Sequence, residues 1–500
     1  MIGASLAGSG CNRVCTGAEC ESLFDASMLT LHQGTNRITQ RAEQNPTTGE
    51  LLATVVGASE DGRDWQALIA SQTVIVSTPA LSEILSVRPA QRESDKLEVL
   101  IAGRLVGETE SDRFGAAMVR APDVTGGGVD ELWVGAPGTS GGSNTLEAGA
   151  AYLFADLADG WTEDDLTTDD ALLVIRADRA YDQLGQTLAG CEDMDGDRRG
   201  DLLVTTAWGD ATGGGETLPL AGQVHAILSS ALLGEPEERL TSELEWTWAG
   251  LKTGAQLGRA LDCGNDLTGD GLANAVLGSP FAVEVISESG ENTSDGAGAV
   301  YVLKPPEEWT GDLLTDSLRI LNIEADEDAP DSVRELHFGM AVLTGDLDGD
   351  NRAELIVGAT GANNGAGAVY IYEGQDLVEG RPRDPITING TLNGGHFGAR
   401  LAVADLDGDG INDLVVGAPR ANLFGRAATF ASGVVYLFTK TELFDGPETF
   451  FATEAPSTFA FEQQFLELGE GIAVGDYDGD SVDDVLFTLQ VDPEDLPGGE

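Results

Sequence analysis

Six acidic loops recur about every seventy residues along this chain, and repeats of that length bury their apolar faces only by stacking on one another. The clearest copy reads ADLDGDGINDLVVGAP (404–419). It returns as GDLDGDNRAELIVGAT (345–360), GDYDGDSVDDVLFTLQ (475–490), EDMDGDRRGDLLVTTA (192–207), NDLTGDGLANAVLGSP (265–280) and PDVTGGGVDELWVGAP (122–137). Upstream of each loop stands an aromatic or leucine followed by glycine: Phe114-Gly115, Leu184-Gly185, Leu257-Gly258, Phe338-Gly339, Phe397-Gly398 and Leu468-Gly469. Downstream come Gly-bounded runs such as AGAAYLF (148–154), GAGAVYIY (365–372) and SGVVYLF (432–438), whose β-branched and aromatic content predicts strands.

A faded seventh copy precedes the six. In LLATVVGASEDGRDWQALIAS (51–71), Leu51 takes the anchor position, while Ser59, Asp61, Arg63 and Ala67 stand where acids are wanted, so this copy is expected to hold no ion. The last copy lacks its later strands, and ASMLTLHQGTNRITQ (26–40) reads as a hairpin without a sheet. Closing a ring by pairing the first strands with the last copy uses both fragments and protects strand edges. The expected fold is therefore all-β: a seven-bladed β-propeller over 26–490, with N-terminal strands closing the last blade. Repeats start near 51, 114, 184, 257, 338, 397 and 468, and 491–500 is an acidic tail.

The formal charge of -58 argues against nucleic acid or an anionic membrane surface as partner, and makes cations the natural counterpart. With 41% hydrophobic residues in regular short runs, the chain can still build a large core. No apolar run is long enough for a transmembrane helix. Residues 1–25 read as the remnant of a secretion signal or anchor, or as a flexible Cys-containing N-terminus, with Cys11 a candidate for lipidation. Of the remaining cysteines, Cys15 with Cys20 and Cys191 with Cys263 are candidate pairs whose connectivity the sequence leaves open. Cys191 and Cys263 precede the acidic loops of consecutive repeats, and a bridge between them needs a closer approach than the usual spacing of packed sheets.

Counting from Asp405 as position one, acids fall at positions one, three, five and nine, with Gly408 and Gly410 allowing the tight bends between them. So many carboxylates in one short loop repel each other unless a cation sits among them. Hard oxygen ligands in a flexible loop favour Ca²⁺ over zinc, copper or magnesium. An EF-hand loop begins similarly but requires a glutamate at position twelve. Here that position is Val134, Val204, Leu277, Val357, Val416 or Phe487, and the flanks read as strands rather than helices.

Anchor, acidic loop and Gly-Ala-Pro end together resemble the FG-GAP repeat of integrin α-subunit propellers and related bacterial surface proteins, over about residues 51–490. HFGARLAVADLDGDGINDLVVGAP (396–419) matches that repeat almost throughout. The resemblance implies Ca²⁺ held by side chains at positions one, three, five and nine. It assigns full cages to Asp193, Asp195, Asp197, Asp201; to Asp346, Asp348, Asp350, Glu354; to Asp405, Asp407, Asp409, Asp413; and to Asp476, Asp478, Asp480, Asp484. Asp266, Thr268, Asp270 and Asn274 keep oxygen at every position with half the charge, which implies weaker binding. Asp123, Thr125 and Glu131 lose the fifth-position ligand to Gly127, which leaves that site in doubt.

No Gly-x-Ser-x-Gly elbow, phosphate loop or His-Glu-x-x-His site occurs, and His337 and His396 sit directly before anchors. A non-enzymatic role is expected, with a propeller hydrolase or lyase the weaker reading. The resemblance places the calcium loops opposite the main ligand surface, so the expected function is an extracellular or cell-surface binding or adhesion module, monomeric, for a protein or carbohydrate ligand. Recognition is expected from loops 138–147, 208–219, 281–295 and 420–431, with Trp133, Trp208, Trp246, Trp248 and Trp309 either sugar platforms or packing residues. A passive cell-surface scaffold is the alternative.

Overall fold

The computed structural model describes residues 25–490 apart from 34–35, 45–50, 59–65, 71–72, 79–82, 94–95, 141–145, 156–165, 214–215, 233–236, 283–296, 322–335, 379–384, 423–431, 461–466 and 477–481. Cys11, Cys15, Cys20, Ser59, Asp61, Arg63 and the tail 491–500 lie outside the described residues.

Each acidic repeat folds into an antiparallel sheet in which the loop joins the first two strands. The second sheet runs Ala117–Ala121, Glu131–Ala136, Ala150–Phe154, Leu173–Arg176; the third Leu188–Cys191, Asp201–Thr205, Gln223–Ile227, Trp246–Ala249. The fourth runs Ala260–Cys263, Ala275–Ser279, Ala299–Leu303, Ser317–Leu321; the fifth Phe338–Gly345, Glu354–Ala359, Ala368–Glu373, Ile386–Asn389; the sixth Arg400–Ala404, Asp413–Ala418, Val434–Phe438, Ser457–Ala460. Ahead of them, Gln66–Ala70, Thr73–Thr78, Glu83–Glu93 and Lys96–Val106 make the first sheet.

The last sheet is built from both chain ends. Ile472–Gly475 and Asp484–Gln490 are followed across the sheet by Leu51–Ala58, Asn36–Gln44 and Asp25–Gln33, so N-terminal strands do complete the last repeat. One boundary is corrected. The segment at Leu51, expected to open the first repeat, pairs parallel with Asp484–Gln490, with Val55 opposite Thr488. The first sheet opens instead at Gln66. A short apolar run is equally able to fill either of two neighbouring sheets, and the unpaired edge of the last copy takes it.

The first strands of successive sheets lie side by side, and Ile472–Gly475 touches both Arg400–Ala404 and Gln66–Ala70, so the series returns on itself as a β-propeller. Packing follows from this. Second strands such as Glu131–Ala136, Glu354–Ala359 and Asp413–Ala418 are buried at every residue, because each sheet is covered on both faces by its neighbours. One core cluster draws on the fifth and sixth sheets through Ile356, Val369, Val416 and Tyr436; another joins the third and fourth through Leu203, Trp248, Leu277 and Tyr301. Each core therefore belongs to a pair of repeats.

All six anchors are buried: Phe114, Leu184, Leu257, Phe338 and Leu468 at 0% exposure and Phe397 at 2%. An anchor also seams its sheet to the preceding one, as Phe397 bridges in parallel to Gly367. Gly367 has φ +88°, and a Cβ there would lie 2.1 Å from the Phe397 carbonyl oxygen, so only glycine admits the seam. A disulfide joins Cys191 and Cys263 on adjacent first strands, with Cα atoms 4.7 Å apart. First strands approach one another closely enough to meet the need noted from the sequence.

Short strands also reach back to the preceding sheet. Leu166–Thr167 adds in parallel to Lys96–Val106, Glu237–Leu240 to Leu173–Arg176, and Thr449–Phe451 to Ile386–Asn389. A one-turn 3₁₀ helix follows each, its third residue accepting the N–H of the strand's last residue: Thr167 to Asp170 at 2.8 Å, Leu240 to Glu243 at 2.9 Å, Phe451 to Glu454 at 3.0 Å.

Candidate metal centres

The acidic loops are shaped by their own carboxylates. In the copy at 405–413, Asp405 accepts N–H bonds from Gly408 and Gly410 at 2.8 and 2.9 Å. Asp407 accepts from Asp409 at 3.1 Å, Asp409 from Ile411 at 2.9 Å, and Asp413 from Leu406 at 3.2 Å. The same offsets recur at Asp346, Asp348, Asp350 and Glu354, where the donors are Gly349, Asn351, Asp350, Arg352 and Leu347. They recur again at Asp193, Asp195, Asp197 and Asp201. Spending acceptor capacity on the backbone fixes where the carboxylates stand.

Three groups result. Asp193, Asp195 and Asp197; Asp346, Asp348 and Glu354; and Asp405, Asp407 and Asp409 each bring ligand oxygens within 4.8 Å of one another. The position-nine acids lie beneath, with Asp201 at 0%, Glu354 at 2% and Asp413 at 5% exposure. Burial, with the neighbouring carboxylates adding to it, pushes Asp201 and Asp413 up to about 7 and Glu354 up to about 8. Burial first, and adjacent acids with it, also raises Asp407 and Asp348. A set of clustered oxygens whose negative charge is disfavoured by its surroundings fits a hard divalent cation.

The weaker copies keep the scaffold with fewer charges. Asp266 accepts from Gly269 and Gly271 at 2.6 and 2.7 Å, Asp270 from Leu272 at 3.0 Å, and Asn274 from Leu267 at 2.8 Å and Thr268 at 3.2 Å. Glu131 accepts from Val124 at 2.7 Å and from the Thr125 hydroxyl, and Asp123 from Gly128. Of the last copy, Asp476 and the buried Asp484 are described, while Asp478 and Asp480 lie outside the described residues.

The acidic spacing missed the partners supplied by its other positions and by residues beyond the loop. Arg199 donates to Asp197 at 2.7 Å, the Ser229 hydroxyl to Asp197 at 3.1 Å and the Ser230 hydroxyl to Asp195 at 2.9 Å. Lys440 donates from the sixth sheet to the Asp348 carbonyl. Loops also bond to one another: Ala273 N–H reaches the Asp193 carbonyl at 2.9 Å, Ala353 the Asp266 carbonyl at 3.1 Å, and Asp483 the Asp405 carbonyl at 3.0 Å. The acidic spacing carries no signal for any of these.

Of the expected recognition loops, 141–145, 214–215, 283–295 and 423–431 lie outside the described residues. Trp133 and Trp248 are at 0% and Trp309 at 7% exposure, and Trp309 packs edge-on to Trp246 and Trp248 at 5.5 and 4.7 Å. These four are packing residues. Trp208 is half-buried, with the Arg259 guanidinium 5.6 Å from its ring centre. His225 is buried, shares a 2.8 Å hydrogen bond with Thr247, and is pushed down by burial to about 4.

A family profile described as "FG-GAP repeat" matches residues 338–372 and 397–438. Phosphatidylinositol-glycan-specific phospholipase D of Mus musculus is 31% identical over 173 residues, which is 32% of this chain and 19% of that protein. Integrin alpha-8 of Mus musculus is 26% identical over 232 residues, 42% of this chain and 20% of that protein. Integrin alpha-5 of Xenopus laevis is 34% identical over 103 residues, 19% of this chain and 10% of that protein. The chain thus spans about a fifth of the length of the first curated relatives it matches. Among solved structures, the Dos1 propeller aligns with a TM-score of 0.35 at 10% identity, covering 76% of this chain and 71% of that one, a likeness too loose to inform the site.

Proposed function

We propose that this chain of FG-GAP repeats is a seven-bladed, calcium-stabilised propeller that works outside the cell or on its surface as a binding or adhesion module. The cages at 193–201, 346–354, 405–413 and 476–484 hold Ca²⁺, which supplies the positive charge their clustered oxygens require, and the ligand is taken at the other end. The observation that carries this reading is the disposition of the repeats. Every described acidic loop joins a first strand to a second at one end of its sheet, in a single hydrogen-bond register, and the second-to-third connections emerge at the other end. Similarity to parts of integrin α subunits supports a protein ligand and an extracellular setting. The proposal assigns no catalysis, and the similarity to a phospholipase D covers a fifth of that enzyme.

Thermal unfolding of metal-stripped protein across a calcium titration, with magnesium as control, tests the cages. Calcium at 100 times its dissociation constant stabilises by about 2.7 kcal/mol for each independent site. A rise in melting temperature with calcium alone, reduced in Asp405→Asn/Asp409→Asn, is expected; a flat titration refutes the cages. Replacing the connection 208–219 with a Gly-Ser linker then tests the face. Ligand capture that survives replacement of these connections places recognition elsewhere.

A further inference from the structure

We propose that the groove between the connection 177–187 and the segments 206–213 and 216–222, at the third sheet's end away from its acidic loop, is a carbohydrate subsite that takes a pyranose ring of a neutral glycan. This deepens the reading above and rests on the ligand face lying opposite the acidic loops. The groove has a volume of about 810 Å³, lined by Arg179, Tyr181, Asp182, Gln183, Trp208 and Asp210 among others. Ligand pockets commonly fall in the range of about 300–1,000 Å³.

Its walls are already tied together. Arg179 donates to the Asp210 carbonyl at 3.0 Å, and the Asp210 carboxylate accepts the Leu220 N–H at 3.1 Å. Gln183 donates to Glu147 at 3.4 Å. Asp182 is different. Its side chain lines the groove at 5% exposure and accepts no hydrogen bond among the described residues. With no protein donor on it, this carboxyl is open to the hydroxyl groups that a ligand brings. Burial pushes this carboxyl up to about 6 against the pull of Arg179, so near neutrality it can meet a hydroxyl as acceptor or as donor.

The aromatic groups complete the argument. Tyr181 is 58% exposed, held at φ +68° in the connection between sheets, and Trp208 is braced by Arg259 rather than packed in a core like the other described tryptophans. The exposed ring of Tyr181 and the half-buried Trp208, beside a carboxyl, suit the apolar C–H faces and hydroxyl edges of a sugar ring. An anionic ligand would meet the chain's large negative charge, and inside the groove Arg179 already supplies positive charge to Asp182, so the ligand proposed is an uncharged polyol.

The test titrates full-length, calcium-loaded protein with neutral pentasaccharides of glucose, mannose and galactose, followed by calorimetry and tryptophan fluorescence. The variants are Trp208→Ala, Tyr181→Ala and Asp182→Asn, with Phe451→Ala, an exposed residue elsewhere, as control; melting temperature and circular dichroism report the fold of each. The expected result is binding of at least one sugar, weakened about tenfold or more by each groove substitution and unchanged in the control. Binding that survives all three substitutions overturns the placement. If folded protein binds none of the sugars but captures Lys/Arg-rich peptides through Trp208, the carbohydrate class falls while the module reading stands. If it binds neither, both fall.

Discussion

The loops at 193–201 and 405–413 have the same backbone and different electrostatic surroundings. In both, position one accepts two N–H groups and position nine takes the N–H of position two. In the first, Arg199 and two serine hydroxyls already attend the carboxylates. Burial alone would raise Asp197, but hydrogen bonds from Arg199 and Ser229 carry it below the usual carboxylate range. In the second, the described donors to Asp405, Asp407 and Asp409 are backbone N–H groups, and Asp407 is raised. The acidic spacing sets the shape of a cage, and the residues at its other positions and beyond the loop set how much positive charge it still lacks.

The largest expected difference lies at position nine. Asp201 accepts from both Met194 and Ser229, whereas Asp413 accepts from Leu406. Each buried donor left unpaired costs about 1–3 kcal/mol, so in urea unfolding with chelator present Asp201→Ala should lose about 2–6 kcal/mol and Asp413→Ala about half of that. Equal losses would break the comparison. Next in size is the covalent tie beside the first cage. Cys191 and Cys263 lie 72 residues apart, and Cys191→Ser/Cys263→Ser should cost about 2–4 kcal/mol while leaving the calcium response that depends on Asp405 unchanged. A lost response would mean that the two cages do not act separately.

A smaller, pH-dependent term separates the same two sheets. His225 stands opposite Val204 where the sixth sheet has Tyr436 opposite Val416. Held near 4 against about 6.5 when unfolded, His225 binds fewer protons folded than unfolded between those values. Its contribution is complete above pH 6.5 and is lost as pH falls toward 4, by up to about 1.4 kcal/mol for each pH unit. His225→Tyr should remove that slope from the stability profile, and an unchanged slope would place the acid sensitivity elsewhere. The smallest effect is expected from Arg199→Ala. The pair with Asp197 is partly exposed, so metal-free stability should change by no more than about 1 kcal/mol, while calorimetry should find tighter calcium binding at that cage. Weaker binding would show that Arg199 organises the cage instead of competing for it.

What could be read from the sequence is what the repeat forces on every copy. Burial of Phe397 and its counterparts, the glycine seam and the carboxylate register follow from local spacing, and repetition distinguishes them from chance. Contacts that depend on which sheet lies next door were not legible. Leu51 carries the pattern of an anchor strand, yet it joins the last sheet because that sheet lacked a third strand. Ser229, Ser230 and Lys440 reach the cages from strand ends that have no shared motif. Asp182 and Trp208 line one groove because two connections run beside each other, and Asp182 in sequence is one acid among many.

The strands that reach back, Leu166–Thr167, Glu237–Leu240 and Thr449–Phe451, carry a consequence for company this protein can keep. An outermost strand with open N–H and C=O groups accepts almost any extended peptide, since backbone pairing is blind to sequence. On these three sheets a strand of two to four residues from the chain itself takes that position. A visitor there finds only that short ladder to extend, so its choice rests more on side chains or sugars at the sheet ends, where replacing one residue alters the choice without disturbing the ring.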